Sequence, residues 1–89
     1  MLREWIGLRY TVKLKPKAEK DLKAMPKDEA RSMYDALLAL ESGLKGDIKK
    51  LTAHWPEYRL RMGNWRALFE IEGNEIVVYR IRHRREAYR

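Results

Sequence analysis

The chain has 89 residues and no cysteine, which excludes a disulfide-braced scaffold, a thiolate metal site and a cysteine nucleophile. A chain of this length supports one modest core. No apolar run approaches the roughly 20 residues that cross a bilayer, and residues 1–7 lack the apolar centre of a signal peptide. We therefore expect one soluble, cytoplasmic domain over residues 1–89, in which residues 1–7 pack on the body or form a frayed extension.

Basic residues are in excess and are concentrated at one end of the chain. Twenty lysines and arginines oppose thirteen aspartates and glutamates, a net charge of +7. Such an excess in a small domain favours binding to a polyanion. The alternative is that the charge only keeps the protein soluble. Position favours the partner, because residues 80–89 hold five arginines, a histidine and a tyrosine against one acid.

The first half of the chain predicts a strand and two helices. Residues 10–14 alternate apolar and polar side chains, as a half-buried strand does. Pro16 suits the first position of a short helix that Pro26 ends, and a second helix is predicted over residues 27–42. We interpret the apolar stripe of the second helix as core and not as a partner surface; it consists of Ala30, Met33, Tyr34, Leu37 and Leu40.

The second half predicts an antiparallel sheet. Residues 44–57 have no sustained period and are interpreted as a connection, with a turn of structure at most and lysines that are solvated or rim a site. Period-two alternation then returns in three segments separated by Gly63-Asn64 and Gly73-Asn74, which predicts a three-stranded meander. The predicted class is α+β: an N-terminal strand, a two-helix hairpin and the meander.

Alternation divides the meander into an apolar face and a basic face. The apolar face, expected to lie under the helices, comprises Leu60, Met62, Ala67, Phe69, Ile71, Val77, Tyr79 and Ile81. The opposite face collects Arg59, Arg61, Arg66, Arg80 and Arg82, with His83 and Tyr88 near its edge. Because the guanidinium fork binds phosphate oxygens in pairs, this face predicts a phosphate site. The alternative is an ordinary charged face balanced by Glu57, Glu70, Glu72 and Glu75.

The sequence contains neither a glycine-rich phosphate loop nor a recognisable Ser/His/Asp arrangement. An enzyme built from this chain would draw its acid and base groups from Lys, Arg, His and Tyr. RNA cleavage through the neighbouring 2′-hydroxyl needs a proton acceptor, a proton donor and cations around the phosphate. We therefore expect no metal and no cofactor.

Two stretches resemble the core of the RelE/ParE toxin superfamily, closest to its RelE-like branch: YRLRMGNWRALFEI at residues 58–71 and IRHRREAYR at residues 81–89, preceded by GDIKKL at residues 46–51. The resemblance implies a microbial-ribonuclease-like fold and a type II toxin that cuts messenger RNA in the ribosomal A site. It also implies a cognate antitoxin, contact with operator DNA only through the toxin–antitoxin complex, and no membrane partner.

The same resemblance assigns roles to individual residues. Arg61 matches the phosphate-binding arginine, Arg82 the arginine that stabilises the transition state or protonates the leaving group, and Tyr88 the tyrosine that stacks on or orients the base. The proton acceptor stays open between the loop lysines, Lys49 or Lys50, and His83, whose ring in its ordinary state titrates near neutrality. The predicted catalytic set is Arg61, Arg82, His83, Tyr88 and Lys50, and the predicted RNA-binding set is Lys49, Arg59, Arg66, Arg80, Arg84 and Arg85.

Two other functions compete with the ribonuclease. A ParE-like inhibitor of DNA gyrase shares the fold without nuclease activity, and residues 82–88 argue against it. A non-enzymatic nucleic-acid-binding module needs only the positive face, and each charge removed from it would lower affinity about equally.

Overall fold

A computed structural model describes residues 9–87, so the predicted role of Tyr88 and the predicted extension at residues 1–7 lie outside the described part. The elements are β1 (Thr11–Leu14), α1 (Pro16–Ala24), α2 (Lys27–Ala39) with a 3-10 turn at Leu40–Ser42, β2 (Asp47–Lys50), β3 (Tyr58–Met62), β4 (Trp65–Glu72) and β5 (Glu75–His83). They form one sheet of order β1-β5-β4-β3-β2. The predicted α+β class is confirmed.

Both helices begin where the sequence predicts, and α2 ends at Ala39, with a 3-10 turn over the last three residues of the predicted helix. Pro16 occupies the first turn of α1, and Met25 is extended with ψ 155°, because the residue before a proline avoids the helical region. Asp28 and Glu29 lie in the first turn of α2, where the helix dipole favours negative charge. Within residues 9–87 no helix has the length and apolar character needed to cross a membrane.

One face of the sheet packs on the helices and forms the core. Its buried centre includes Leu60, Ala67, Phe69, Ile76, Val78 and Ile81 from the sheet with Ala18, Met33, Leu37 and Leu40 from the helical layer. The predicted stripe of α2 is confirmed except at Tyr34, which is 48% exposed. We call the opposite side of the sheet, away from the helices, the outer face.

The segment interpreted as a connection contains a strand, and that prediction was wrong at residues 47–50. β2 pairs antiparallel with β3, with Asp47 opposite Arg61 and Lys49 opposite Arg59. Three of its four side chains are charged, and Ile48 alone packs against the core. A short edge strand needs only one inward apolar side chain, so no alternation is visible in its sequence.

The predicted inward face of β5 was also wrong over its first half. Phe69 pairs with Val78 whereas Leu68 pairs with Arg80, which leaves Tyr79 as an extra residue. An extra residue reverses the alternation that follows it. Ile76 and Val78 therefore face the core together with Ile81, in place of the predicted Val77 and Tyr79.

Asp21 of α1 binds the edge of β5 beyond the end of β1. The last link between β1 and β5 is the Lys15 N–H to the Val78 carbonyl, at 2.9 Å. Beyond it the Asp21 carboxylate accepts hydrogen bonds from the Ile81 N–H at 2.9 Å and from Arg80 Nε at 2.8 Å. Burial alone would raise the pKa of Asp21, but these hydrogen bonds and the arginine charge hold it below its ordinary value.

Candidate functional site

Three arginines stand directly opposite one another across the outer face. Arg61 of β3 pairs with Arg66 of β4, which pairs with Arg82 of β5. Opposed side chains in a sheet have Cβ atoms about 4.5–5.5 Å apart, and like charges at that spacing are destabilising. This arginine row therefore concentrates positive charge in a way that a bound anion would stabilise.

A second basic pair lies two residues further along the strands, about 7 Å from the arginine row. It consists of Lys49 opposite Arg59. The neighbouring Lys50 points elsewhere, since its Nζ lies 5.9 Å from the ring centroid of Tyr58, which packs against the core. Of the two loop lysines that the sequence left open, the fold brings Lys49 to the arginine face. We call the arginine row with Lys49 and Arg59 the basic half of the outer face.

One carboxylate lies inside the basic half. Asp47 Oδ1 is 3.2 Å from Arg59 Nη1, and Asp47 Oδ2 is 3.6 Å from Arg61 Nε. The Arg59 side chain is 13% exposed and that of Arg61 56%. Arg59 is thus held within the protein, whereas Arg61 is loosely paired and accessible to an anion.

The other members of the arginine row differ in how they are held. Arg66 Nη1 donates to the Gly63 and Trp65 carbonyls, each at 3.0 Å, which fixes its guanidinium near the β3–β4 turn. Arg82 is half-buried and lines a cavity of about 190 Å³ at the edge of β5. Among residues 9–87 no carboxylate lies within ion-pair distance of Arg82.

Arg80, predicted to bind RNA, is paired with a carboxylate of α1. Its Nε and Nη2 atoms bind the two carboxylate oxygens of Asp21 at 2.8 and 3.1 Å. The Asp21 carboxylate raises the pKa of Arg80 and neutralises its charge. Arg84 and Arg85 are exposed in the turn after β5, which the Arg84 N–H ties to the Asn64 carbonyl at 2.7 Å.

The outer face changes sign along the strands. Beyond the basic half lie Glu57, whose backbone N–H donates to the Glu70 carboxylate, and the opposed pair Glu72 and Glu75. Tyr79 donates its hydroxyl to Glu72 at 3.2 Å. Partial burial and the Glu72 and Glu70 carboxylates raise the pKa of Tyr79, so the hydroxyl keeps its proton. We call these four glutamates the acidic half.

Residues 51–57, which we call the crossing loop, run over the outer face. The loop is closed by the Leu51 N–H to the Glu57 carbonyl at 2.6 Å. Trp55 reaches across to Tyr79 of β5, with ring centroids 4.6 Å apart. Leu68 and Val77 are buried although they lie outside the core cluster, which indicates that the loop shields the centre of the outer face.

The two histidines are held in opposite ways. His54 Nδ1 lies 3.0 Å from the Pro56 carbonyl, which can only accept, so Nδ1 carries the proton and Nε2 holds the lone pair of the neutral ring. His83 Nδ1 accepts from the Arg85 N–H at 3.3 Å. Its ring contacts Trp65, at 5.4 Å between centroids, on the helix side of the sheet.

His54 lies beside the basic half although the sequence did not indicate it. It lines a cavity of about 300 Å³ together with Lys49 and Arg59. Nothing in the local sequence marks it, because its position depends on the crossing loop folding over the sheet. The predicted His83 is not brought to this face.

The chain belongs to the RelE/ParE toxin family. Residues 12–88 match the family described as the ParE toxin of type II toxin-antitoxin systems, parDE. The match covers all but the first eleven residues and the last one, so it includes both helices and the whole sheet except Thr11. The resemblance seen in the sequence is confirmed.

Individual relatives agree with this assignment. Toxin RelE3 of Methanocaldococcus jannaschii is 42% identical over 45 residues, a segment that spans 51% of this chain and 51% of that toxin. The chain is similar in fold to the RelB–RelE antitoxin–toxin complex of Methanococcus jannaschii, with 26% identity, a TM-score of 0.70, and coverage of 85% of this chain and 98% of that one.

Two further solved structures share the fold. The archaeal RelE–RelB complex of Pyrococcus horikoshii OT3 has 26% identity and a TM-score of 0.70 over 90% of this chain and 100% of that one. The toxin–antitoxin complex RelBE2 of Mycobacterium tuberculosis has 22% identity and a TM-score of 0.74 over 85% of this chain and 99% of that one. At that identity the second likeness concerns the fold alone.

Proposed function

We propose that this chain is the toxin of a type II toxin–antitoxin pair and acts as a ribosome-dependent endoribonuclease that cleaves messenger RNA and so inhibits translation. The observation that carries the proposal is the arginine row, in which Arg61, Arg66 and Arg82 oppose one another on three adjacent strands. A phosphodiester bound there would offset the repulsion among the three side chains.

The reaction is the attack of a ribose 2′-oxygen on the adjacent phosphorus. A bond forms between the 2′-oxygen and phosphorus, the bond from phosphorus to the 5′-oxygen breaks, and the products are a 2′,3′-cyclic phosphate and a 5′-hydroxyl. Negative charge develops on the phosphoryl oxygens, which the accessible Arg61 and the half-buried Arg82 stabilise. Arg82 returns a proton to the leaving 5′-oxygen.

His54 is our proton acceptor in place of His83. The Pro56 carbonyl fixes the His54 tautomer with the lone pair on Nε2, and the ring lies in one cavity with Lys49 and Arg59. The other predicted groups keep supporting roles: Lys49 and Arg66 hold the RNA backbone, Arg59 adds positive charge from within the face, and Arg84 and Arg85 attract the RNA. Tyr88 keeps its predicted role of orienting the base. Lys50, predicted as a catalytic group, lies beside Tyr58 and away from the arginine row, so the proposed mechanism assigns it no step.

The test is cleavage of a defined messenger RNA on programmed ribosomes. Arg82→Ala should lower the rate about 10²–10³-fold, as loss of one transition-state donor does. Arg31→Ala, which removes the same charge from the exposed surface of α2, is the matched control and should cut normally. An intact message with the parent protein, or equal losses in the two variants, would contradict the proposal.

An antitoxin is the proposed protein partner, and operator DNA is contacted only through the complex. Support comes from the relatives, whose solved structures are toxin–antitoxin complexes. The helical side also exposes apolar surface, with Leu38 42% exposed beside a cavity of about 100 Å³ that Val12, Leu14 and Tyr34 line. Leu38→Asp should weaken complex formation without changing cleavage by the free toxin.

A gyrase inhibitor is the second candidate function, because the matching family is described as the ParE toxin. DNA supercoiling by gyrase in the presence of the purified chain separates the two functions. Inhibited supercoiling with intact messenger RNA would select the gyrase inhibitor.

A further inference from the structure

We propose that Trp55 and Tyr79 form a stacking platform for one nucleobase of the single-stranded RNA whose phosphates bind the basic half. The inference rests on the proposed function and extends it, because it adds a base-binding subsite that lies away from the arginine row. It requires nothing of the residues beyond position 87.

The platform is an exposed aromatic pair on the outer face. The Trp55 side chain is 64% exposed although its ring lies 4.6 Å from the Tyr79 ring, with the two planes at 58°. The Tyr79 ring is held in place by the hydrogen bond from its hydroxyl to the Glu72 carboxylate. Trp55 therefore exposes a large ring to solvent, and contact with the Tyr79 ring holds it in place.

Of the two tryptophans within residues 9–87, Trp55 is exposed whereas Trp65 is not. Trp65 packs against the core, and its indole N–H donates to Glu29 of α2. Trp55 has no such place in the core. An exposed indole is a ready stacking surface, because every base has a π-face that an aromatic ring can cover.

The surroundings of the pair favour a nucleic acid over a protein partner. Trp55 directly follows His54, which shares a cavity with Lys49 and Arg59. On the other side, Lys15 Nζ lies 5.6 Å from the centroid of the Tyr79 ring. A protein-binding hot spot lies at the centre of a desolvated apolar patch. This pair is instead bordered by charged groups: cations toward the basic half and at Lys15, and the Glu70 and Glu72 carboxylates toward the acidic half.

The border between the basic and acidic halves determines the path of the RNA backbone across the outer face. Glu70 and Glu72 begin the acidic half beside Tyr79 and repel phosphate, so the backbone follows the basic half. A base extruded toward the acidic half would then meet the Trp55 ring. Single-stranded RNA offers such unstacked bases to aromatic side chains.

The experiment measures binding of the full-length chain to two uncleavable single-stranded oligonucleotides. Both carry 2′-O-methyl riboses and the same number of phosphates, and one of them is abasic at every position. Trp55→Ala should lower affinity for the oligonucleotide with bases about tenfold and leave affinity for the abasic one unchanged. Trp55→Phe should restore most of the loss, which separates stacking from misfolding.

Two control variants frame the result. Tyr34→Ala removes an exposed aromatic ring from α2 and should change neither affinity. Arg61→Ala should weaken binding of both oligonucleotides, because it removes a phosphate contact.

The platform is overturned if Trp55→Ala leaves both affinities unchanged, weakens both equally, or only weakens antitoxin binding. In those cases the RNA-directed function stands as long as the parent protein binds the oligonucleotides. If the parent protein binds neither, the platform fails, and the cleavage assay on programmed ribosomes decides the proposed function separately.

Discussion

The basic and acidic halves of the outer face share strands β4 and β5 yet carry opposite charge. In the basic half Arg61, Arg66 and Arg82 oppose one another, and in the acidic half Glu72 opposes Glu75. Strand register, and not the number of charges, produces this division, because pairing decides which side chains become neighbours. A protein with a net charge of +7 thus concentrates its positive potential at one end of one face.

The largest expected effect tests whether the two halves differ in function. Arg61→Ala should lower messenger RNA cleavage about 10²–10³-fold, since it removes an accessible cation from the phosphate site. Glu72→Gln, which keeps the hydrogen-bond acceptor for Tyr79, should leave cleavage unchanged. Single-turnover cleavage on ribosomes measures both. Equal rates for the two variants would remove the functional distinction between the halves.

The next largest effect tests whether the proton acceptor is His54, which lies beside the basic half. His54→Ala should lower the cleavage rate about a hundredfold, in the range for a lost general base. His83→Ala should cut at nearly the parental rate, because its Nδ1 is occupied by the Arg85 N–H and its ring contacts Trp65. Rates measured across pH distinguish a lost base from lost binding. A severe defect in His83→Ala with normal His54→Ala would reverse the assignment.

A third effect concerns the edge of β5, where Arg80 and Arg82 are two residues apart but act differently. Asp21→Asn should destabilise the fold by about 1–3 kcal/mol, since it weakens the hydrogen bonds to Arg80 and the Ile81 N–H. Because the folded pKa of Asp21 lies below its ordinary 3.8, the ionised carboxylate stabilises the fold above that pH. This contribution is lost as pH falls through the lowered pKa.

Chemical unfolding at pH 7 and at pH 3 tests that linkage. The difference in unfolding free energy between the parent and Asp21→Asn should be smaller at the lower pH. Asp35→Asn, an exposed change on α2, is the control and should show little difference at either pH. A difference for Asp21→Asn that does not change with pH would refute the role given to the carboxylate.

The smallest expected effect concerns Asp47, the carboxylate that lies inside the basic half. Asp47 is the carboxylate that faces Arg59 and Arg61, so Asp47→Asn should raise affinity for single-stranded RNA about two- to fivefold, as expected for a partly exposed ion pair. The affinity should also fall more steeply with salt, because one more cation is available to phosphate. Oligonucleotide titrations at several salt concentrations measure both quantities, and an unchanged affinity would show that Asp47 does not compete with phosphate.

Much of this fold could be predicted from local signals. Pro16 and Pro26 bound the first helix, and Gly63 and Gly73 turn the hairpins with φ of 59° and 64°, which glycine adopts without strain. β2 could not be predicted, because an edge strand with three charged side chains lacks alternation. The reversal at Tyr79 was equally hidden, since a bulge depends on the partner strand.

By itself the sequence determined the class of fold, the family, and the arginines that form the row, because propensity, alternation and motif order are local properties. The tertiary structure alone decided which basic groups share a face: it directed Lys49 outward and Lys50 toward Tyr58, bound Arg80 to Asp21, and brought His54 beside Arg59. Register, the bulge and the path of the crossing loop arise from contacts between distant segments. The neighbours of each charge depend on those contacts and not on the residues next to it in the chain.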